Sequence, residues 1–252
     1  DGFKSVEIDA TTALTGEADG TTLTATKLPK FGASSGKLQK GSNNSEFTAS
    51  DIKLKNLVSK ITLQSISVGF AADGPYASAT FEPSEMFLMS VPKEMNFSEK
   101  AWISSPSSYF SGTDKGFLKV TLSTPSEGAS KVLSATNTTF TGSADKDVLY
   151  TIPNSNTGDK KTILVIAGSF SGESNTVYYK LPLNVAGYNA AGNPTGPVDT
   201  GTSAFQIPSG KNIKCNITIN TIGSTDLNAE SGPLTATLTV TVDPWDDLDQ
   251  TT

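Results

Sequence analysis

Cys215 is the only cysteine in this 252-residue chain, and the chain contains no histidine. These two facts decide most of the chemistry open to it. A cysteine nucleophile or thiolate ligand takes a histidine or a second cysteine as partner in most known schemes. Ser-His-Asp and Cys-His catalysis and histidine-based zinc sites are excluded. NIKCNITIN instead sets Cys215 on one face of an extended segment with Ile213, Ile217 and Ile219, which reads as a small buried apolar side chain. Paired carboxylates of the glycosidase kind stay chemically open. Yet only 17% of the residues are charged, and the acidic ones gather in loop-like stretches such as GEADG (16–20) and ESG (230–232). GEADG lacks the spacing of a calcium loop, and the densest acidic cluster, DPWDDLD (243–249), reads as a solvated tail. Nucleotide-binding glycine motifs are absent from the sequence, and a serine in a G-x-S-x-G match such as GASSG (32–36) has no histidine to activate it. The expectation is no enzyme activity, no cofactor and no metal.

The elements that would position any site are strands. The chain is rich in Ser, Thr, Gly and Pro and poor in Met and Trp, a mix that suits short strands joined by turns. A net charge of −6, with lysine as the only cation type, gives no basic face to neutralise phosphates, so nucleic acid is excluded as a partner. No apolar run approaches the roughly 18–20 residues of a membrane span, so no transmembrane segment is expected. The sequence opens on no signal peptide, so an exported precursor would have lost its leader.

Period-two patterning recurs from about residue 51. In 51–70, Ile61 and Leu63 alternate in one phase and Ile66, Val68 and Phe70 in the other, which predicts a bulge near Gln64–Ser65 or a strand that changes sheets. In 78–92 the expectation is a strand to Phe81, a turn at Pro83–Ser84 and a further apolar run to Pro92. Residues 93–115 look irregular, with Trp102, Tyr109 and Phe110 as anchors. The run Ile163–Ala167 is apolar on both faces and reads as a central strand, whereas Pro182 places its strand at an edge. The sequons at Asn43, Asn96, Asn137 and Asn216 match a short pattern, and Asn216 falls inside a strand, a poor place for a glycan. The reading is an all-β sandwich over 51–252, preceded by a partial N-terminal β domain over 1–50 that is too polar to bury a core alone.

The last strand is the most regular. Leu234, Ala236, Leu238, Val240 and Val242 alternate with threonines, and Trp245 follows. Strand addition between chains uses backbone groups for affinity and alternate side chains for pockets. Leu234, Leu238, Val240 and Val242 would fill such pockets, with Trp245 as an anchor. Four buried aliphatic side chains contribute on the order of 6–12 kcal/mol. Two readings stay open: an internal strand whose end, around and after Trp245, reaches outward, or a whole strand donated in trans. A separate reading makes the protein a β-sandwich adhesin or carbohydrate-binding module. Its candidate ligand-facing aromatics are Tyr76, Trp102, Tyr109 and Tyr188 in loop-like stretches, each of which also reads as a packing residue.

Five stretches in this order, LKNLVSKITLQSISV (54–68), FEPSEMFLMSVPK (81–93), TILVIAGSF with VYYKLPLN (162–170, 177–184), IPSGKNIKCNITINTIGS (207–224) and LTATLTVTVDPWDD (234–247), carry a resemblance. The chain resembles the major fimbrial subunits of Bacteroidia, the FimA-like and Mfa-like fimbrillins of type V pili. That resemblance implies Greek-key, transthyretin-like β-sandwich domains and a subunit of a surface fimbria attached to the outer membrane. It implies assembly with copies of itself or homologous subunits by donor-strand exchange after proteolytic trimming, with a host or bacterial surface ligand as a further partner. The family has well over a hundred residues before the LVSKI-type strand, where this chain has about fifty. A truncated, a proteolysed and a natively short subunit all fit that difference. The family is matured by trypsin-like proteases, so the missing arginine reads either as protection from such an enzyme or as the mark of a genome that favours lysine codons.

Overall fold

Alternation of apolar and polar residues, corrected by two bulges, lays out the core. The computed structural model describes residues 29–31, 54–96, 102–103, 106–123, 130–143, 146–189, 193–229 and 235–245, with the backbone alone at 7–9, 39–40 and 47–48. The sandwich strands, in chain order, are β1 (Ser59–Val68), β2 (Phe81–Met89), β3 (Lys119–Thr121), β4 (Thr139–Thr141), β5 (Val148–Thr151), β6 (Ile163–Phe170), β7 (Val177–Pro182), β8 (Lys211–Ile219) and β9 (Ala236–Pro244). One sheet runs β4-β1-β8-β9, with β5 beside β4 on the same flank of β1; the other runs β3-β2-β6-β7. All pairings in these sheets are antiparallel except β1 with β8, which is parallel. Two-stranded ribbons join Glu7–Asp9 to Glu94–Asn96 and Val91–Pro92 to Tyr109–Phe110. Among the described residues no helix is long and apolar enough to cross a membrane.

The phase change in β1 is a bulge. Cys215 faces Leu63 and Asn216 faces Ser65, which leaves Gln64 as the extra, exposed residue. One added residue reverses the alternation, so Ile61, Leu63, Ile66 and Val68 all point into the same core. A second bulge corrects an expectation. The turn predicted at Pro83–Ser84 is absent, and β2 runs unbroken through it. Ala167 faces Glu85 while Gly168 faces Pro83, so Ser84 is the extra residue and its hydroxyl donates to the Ala167 carbonyl at 3.1 Å. The irregularity absorbs a proline that a regular ladder would reject. Gly168 is required opposite it, because a Cβ there would collide with the Glu82 carbonyl and the Phe81 ring.

The core lies between the sheets. Phe81, Met86, Leu88, Leu164, Ile166 and Tyr179 meet Ile61, Leu63, Ile213, Cys215 and Ile217 there. The outer face of β6 is apolar too: Val165 and Ala167 cluster with Phe87 under Met89, Ile163, Tyr178 and Leu227. That second layer explains why this strand, between β2 and β7, is hydrophobic on both sides. The outer face of the other sheet is polar and cross-linked. Thr62 donates to Asn212 at 2.9 Å, Ser65 to Asn216 at 2.7 Å, and the Asn216 amide to Gln64 at 2.9 Å. Asn216 sits within β8 with its side chain committed to these bonds, as the sequence suggested for this sequon.

Cys215 is fully buried in the core, and burial pushes its thiol up to about 12. Thiolate reactivity follows pKa and access. Native protein is therefore expected to leave a disulfide reagent such as DTNB unreacted at neutral pH, and to react with one thiol per chain in denaturant. Rapid labelling of the folded protein would contradict this packing.

Candidate functional site

β9 lies at the margin of its sheet and pairs in this chain with β8, from Ile219–Ala236 to Lys211–Pro244. Its apolar side chains face the core: Ala236 and Val240 are buried, and Leu238 and Val242 are half-buried against it. Thr237, Thr239 and Thr241 are exposed. Within this chain Leu238, Val240 and Val242 pair with β8 and pack against its core. Leu234 lies outside the described residues. Trp245 does not reach outward. Its indole stacks on Tyr150 at 5.5 Å and its backbone N–H donates to the Gly210 carbonyl at 2.9 Å.

The bonds at the two ends of the β8–β9 ladder fix which backbone groups are used. Asn220 N–H donates to Thr235 and Trp245 N–H to Gly210. Antiparallel pairs alternate between hydrogen-bonded and non-bonded positions. The odd-numbered residues of β9 therefore bond to β8, and the N–H and C=O groups of Ala236, Leu238, Val240 and Val242 point away from the sheet. Among the described residues no strand pairs with that side.

The other sheet margins are protected in recognisable ways. β3, β4 and β5 have only three, three and four residues, and short edges template poorly. β7 carries Pro182, and Tyr178 exchanges backbone bonds with Ser224 at 2.7 and 3.2 Å, which caps its edge. β9 has nine residues, a neutral threonine face and no proline before Pro244. Lys214 and Asp243, 2.7 Å apart, tie down its end but leave the row of backbone groups open.

The candidate aromatics do not converge. Tyr76 packs edge-on against Phe170 at 5.6 Å. Tyr109 is half-buried in its ribbon with Pro92, with the Lys160 ammonium 5.9 Å from the ring. Tyr188 is 42% exposed in the bridge to Pro194. Trp102 is half-buried, its indole N–H donating to the Ile207 carbonyl at 3.0 Å, and it shares a cleft with Trp245. The sequence reading separated those two tryptophans and missed Asn184, the buried residue that shapes one wall of the cleft. An asparagine two residues past Pro182, just ahead of a Gly- and Pro-rich loop, was the signal available for it. Among the described residues no group of three or more acidic or cysteine side chains could hold a metal ion.

No protein-family profile matches the chain, and no curated protein matches it. Solved structures do. A candidate cell adhesion protein from Bacteroides eggerthii aligns at TM-score 0.56 and 18% identity over 97% of this chain and 70% of its own. One from Parabacteroides distasonis aligns at 0.50 and 16% over 79% of this chain and 55% of its own. A fimbrilin from Porphyromonas gingivalis aligns at 0.45 and 15%, covering 81% and 64%. The first two share the fold of this chain, an all-β sandwich.

Proposed function

We propose that this chain is a structural subunit of a cell-surface fimbria of the type V kind, which polymerises when an extended segment of a neighbouring copy or homologous subunit adds to the outer edge of β9. The open row on Ala236, Leu238, Val240 and Val242 carries the reading. Natural proteins hide long, flat, uncharged edges because they template pairing with another chain, and this protein protects its other margins. An added strand would gain about 0.5–1.5 kcal/mol per ladder bond plus the burial of its own alternate side chains. Association and ordering costs are several kcal/mol. The fold shared with candidate cell adhesion proteins and the sequence resemblance to fimbrillins support the same assignment. The matching location is extracellular, in a fimbria attached to the outer membrane, with adhesion to a surface ligand as the role of the assembled fibre. The proposed division is that of the sequence reading, 51–252 as the C-terminal sandwich domain and 1–50 as part of an N-terminal one.

Leu238→Pro tests it. This change deletes one outward N–H, and proline is tolerated where the missing donor faces solvent. The half-buried leucine side chain is lost as well, so Leu238→Ala is the control: it loses the side chain and keeps the donor. After limited trypsin treatment, wild type and Leu238→Ala are expected to form SDS-resistant ladders, and Leu238→Pro to stay monomeric with an unchanged far-UV CD spectrum. Ladders of equal yield from both variants would sink the proposal.

A further inference from the structure

The chain has two tryptophans, and both line one cleft of about 480 Å³ at the end of the sandwich where β9 stops. That size falls in the range of small-molecule sites. The polar side chains around it are Lys55, Asn56, Asp199, Thr202, Ser209 and Lys211. Its walls are braced by contacts. Trp245 is braced by Tyr150 and by its bond to Gly210, while Trp102 is fixed through Ile207, and its carbonyl accepts from the Asn96 amide at 2.7 Å. Gly210 has φ +62, and a Cβ there would lie 2.8 Å from the Asn56 carbonyl, so the floor takes glycine.

The third wall, around Asp199 and Thr202, hangs on Asn184. This side chain is fully buried. Its Oδ1 accepts from the Val198 and Asp199 N–H groups at 3.1 and 2.9 Å, and its Nδ2 donates to the Thr202 hydroxyl at 2.8 Å and to the Gln206 carbonyl at 2.7 Å. Asn184 and Phe205 both have left-handed φ, 56° and 72°. For a bulky residue such as Phe205 that conformation is costly, and such strain gathers at ligand clamps. It persists here because the loop is tied at both ends. Asp199 is held 3.6 Å from the Lys211 ammonium, and Lys55 adds a second ammonium to the lining.

The geometry points to a saccharide-binding site, which takes one or two sugar rings in the cleft lined by Trp102 and Trp245, with hydroxyls bonded to Asp199 and Thr202. Aromatic side chains offer an apolar surface to sugar C–H groups, and a carboxylate and a hydroxyl accept from and donate to sugar hydroxyls. The inference stands on the cleft alone and holds whether or not copies of the chain polymerise.

No other indole is present, so tryptophan fluorescence reports on this cleft without background. The full chain, as monomer, is titrated with lactose, maltose and N,N′-diacetylchitobiose. At least one is expected to produce a saturable change in emission. Asp199→Asn is expected to weaken that binding at least tenfold and to leave the CD spectrum of the free protein unaltered, because the Asn184 contact uses the Asp199 backbone. No saturable change with any of the three sugars overturns the inference, as does wild-type affinity in Asp199→Asn. Loss of assembly in Leu238→Pro with sugar binding intact would separate this site from the polymerising edge.

Discussion

Asn184→Ala lowers the free energy of unfolding by about 3–8 kcal/mol, from two sources. The Val198 and Asp199 N–H groups lose their acceptor, at about 1–3 kcal/mol for each donor left unsatisfied away from water. A left-handed residue with a Cβ costs a further 1–2 kcal/mol or so for alanine, where asparagine is better tolerated. Asn184→Gly separates the terms, because it accepts φ 56 and still lacks the amide, so it recovers about 1 kcal/mol relative to alanine. Urea unfolding of the three proteins measures the differences. Equal stability of wild type and Asn184→Ala would mean that the 198–206 loop is held by something other than this side chain.

Tyr179→Ala is the largest core effect expected. The ring is fully buried, packs edge-on against Phe81 with centroids 5.3 Å apart, and donates its hydroxyl to the Thr221 carbonyl at 3.1 Å. Truncating a buried aromatic costs about 3–5 kcal/mol, and the edge-to-face pair adds about 0.5–1.5 kcal/mol. Tyr179→Phe isolates the hydroxyl and is expected to cost about 1 kcal/mol. It also carries a pH signature. Burial holds the Tyr179 phenol well above its ordinary value of 10.0. Above that pH the unfolded tyrosine releases its proton while the folded one keeps it, so the unfolded state binds fewer protons and stability falls as pH rises. Tyr179→Phe should flatten that alkaline slope. An unchanged slope in the variant would place the alkaline loss elsewhere.

The strands were legible where side-chain alternation dictates them. The phase slip in 51–70 announced the bulge at Gln64, and the two-sided apolar run 163–167 announced a central strand. Pro83 misled because the same residue that starts turns can sit in a bulge when a facing glycine makes room, and Gly168 lies 85 residues away with no local trace of its partner. The cleft was harder for the same reason. Trp102 belongs to an irregular stretch and Trp245 to the end of a strand. They meet only because β8 and β9 align in register and the chain folds back at Ile207. Asn184 alone reads as a turn residue, since its burial depends on a loop that closes over it. The outer row of β9 was visible as apolar alternation. Which half of its backbone stays open follows from the parity of two terminal hydrogen bonds, and side-chain pattern does not encode that.

The parallel ladder between β1 and β8 bears on when this protein can fold. Thr62 reaches Asn212 across 150 residues of intervening chain, and β9 has no sheet to join until β8 is in place. Contacts of such separation close large loops before they return any energy, which places the molecule among slow folders. During synthesis the centre of the first sheet cannot form until β8, some 150 residues after β1, has emerged. A nascent chain of this topology stays threadable to a late stage, a property suited to passage through a translocation channel.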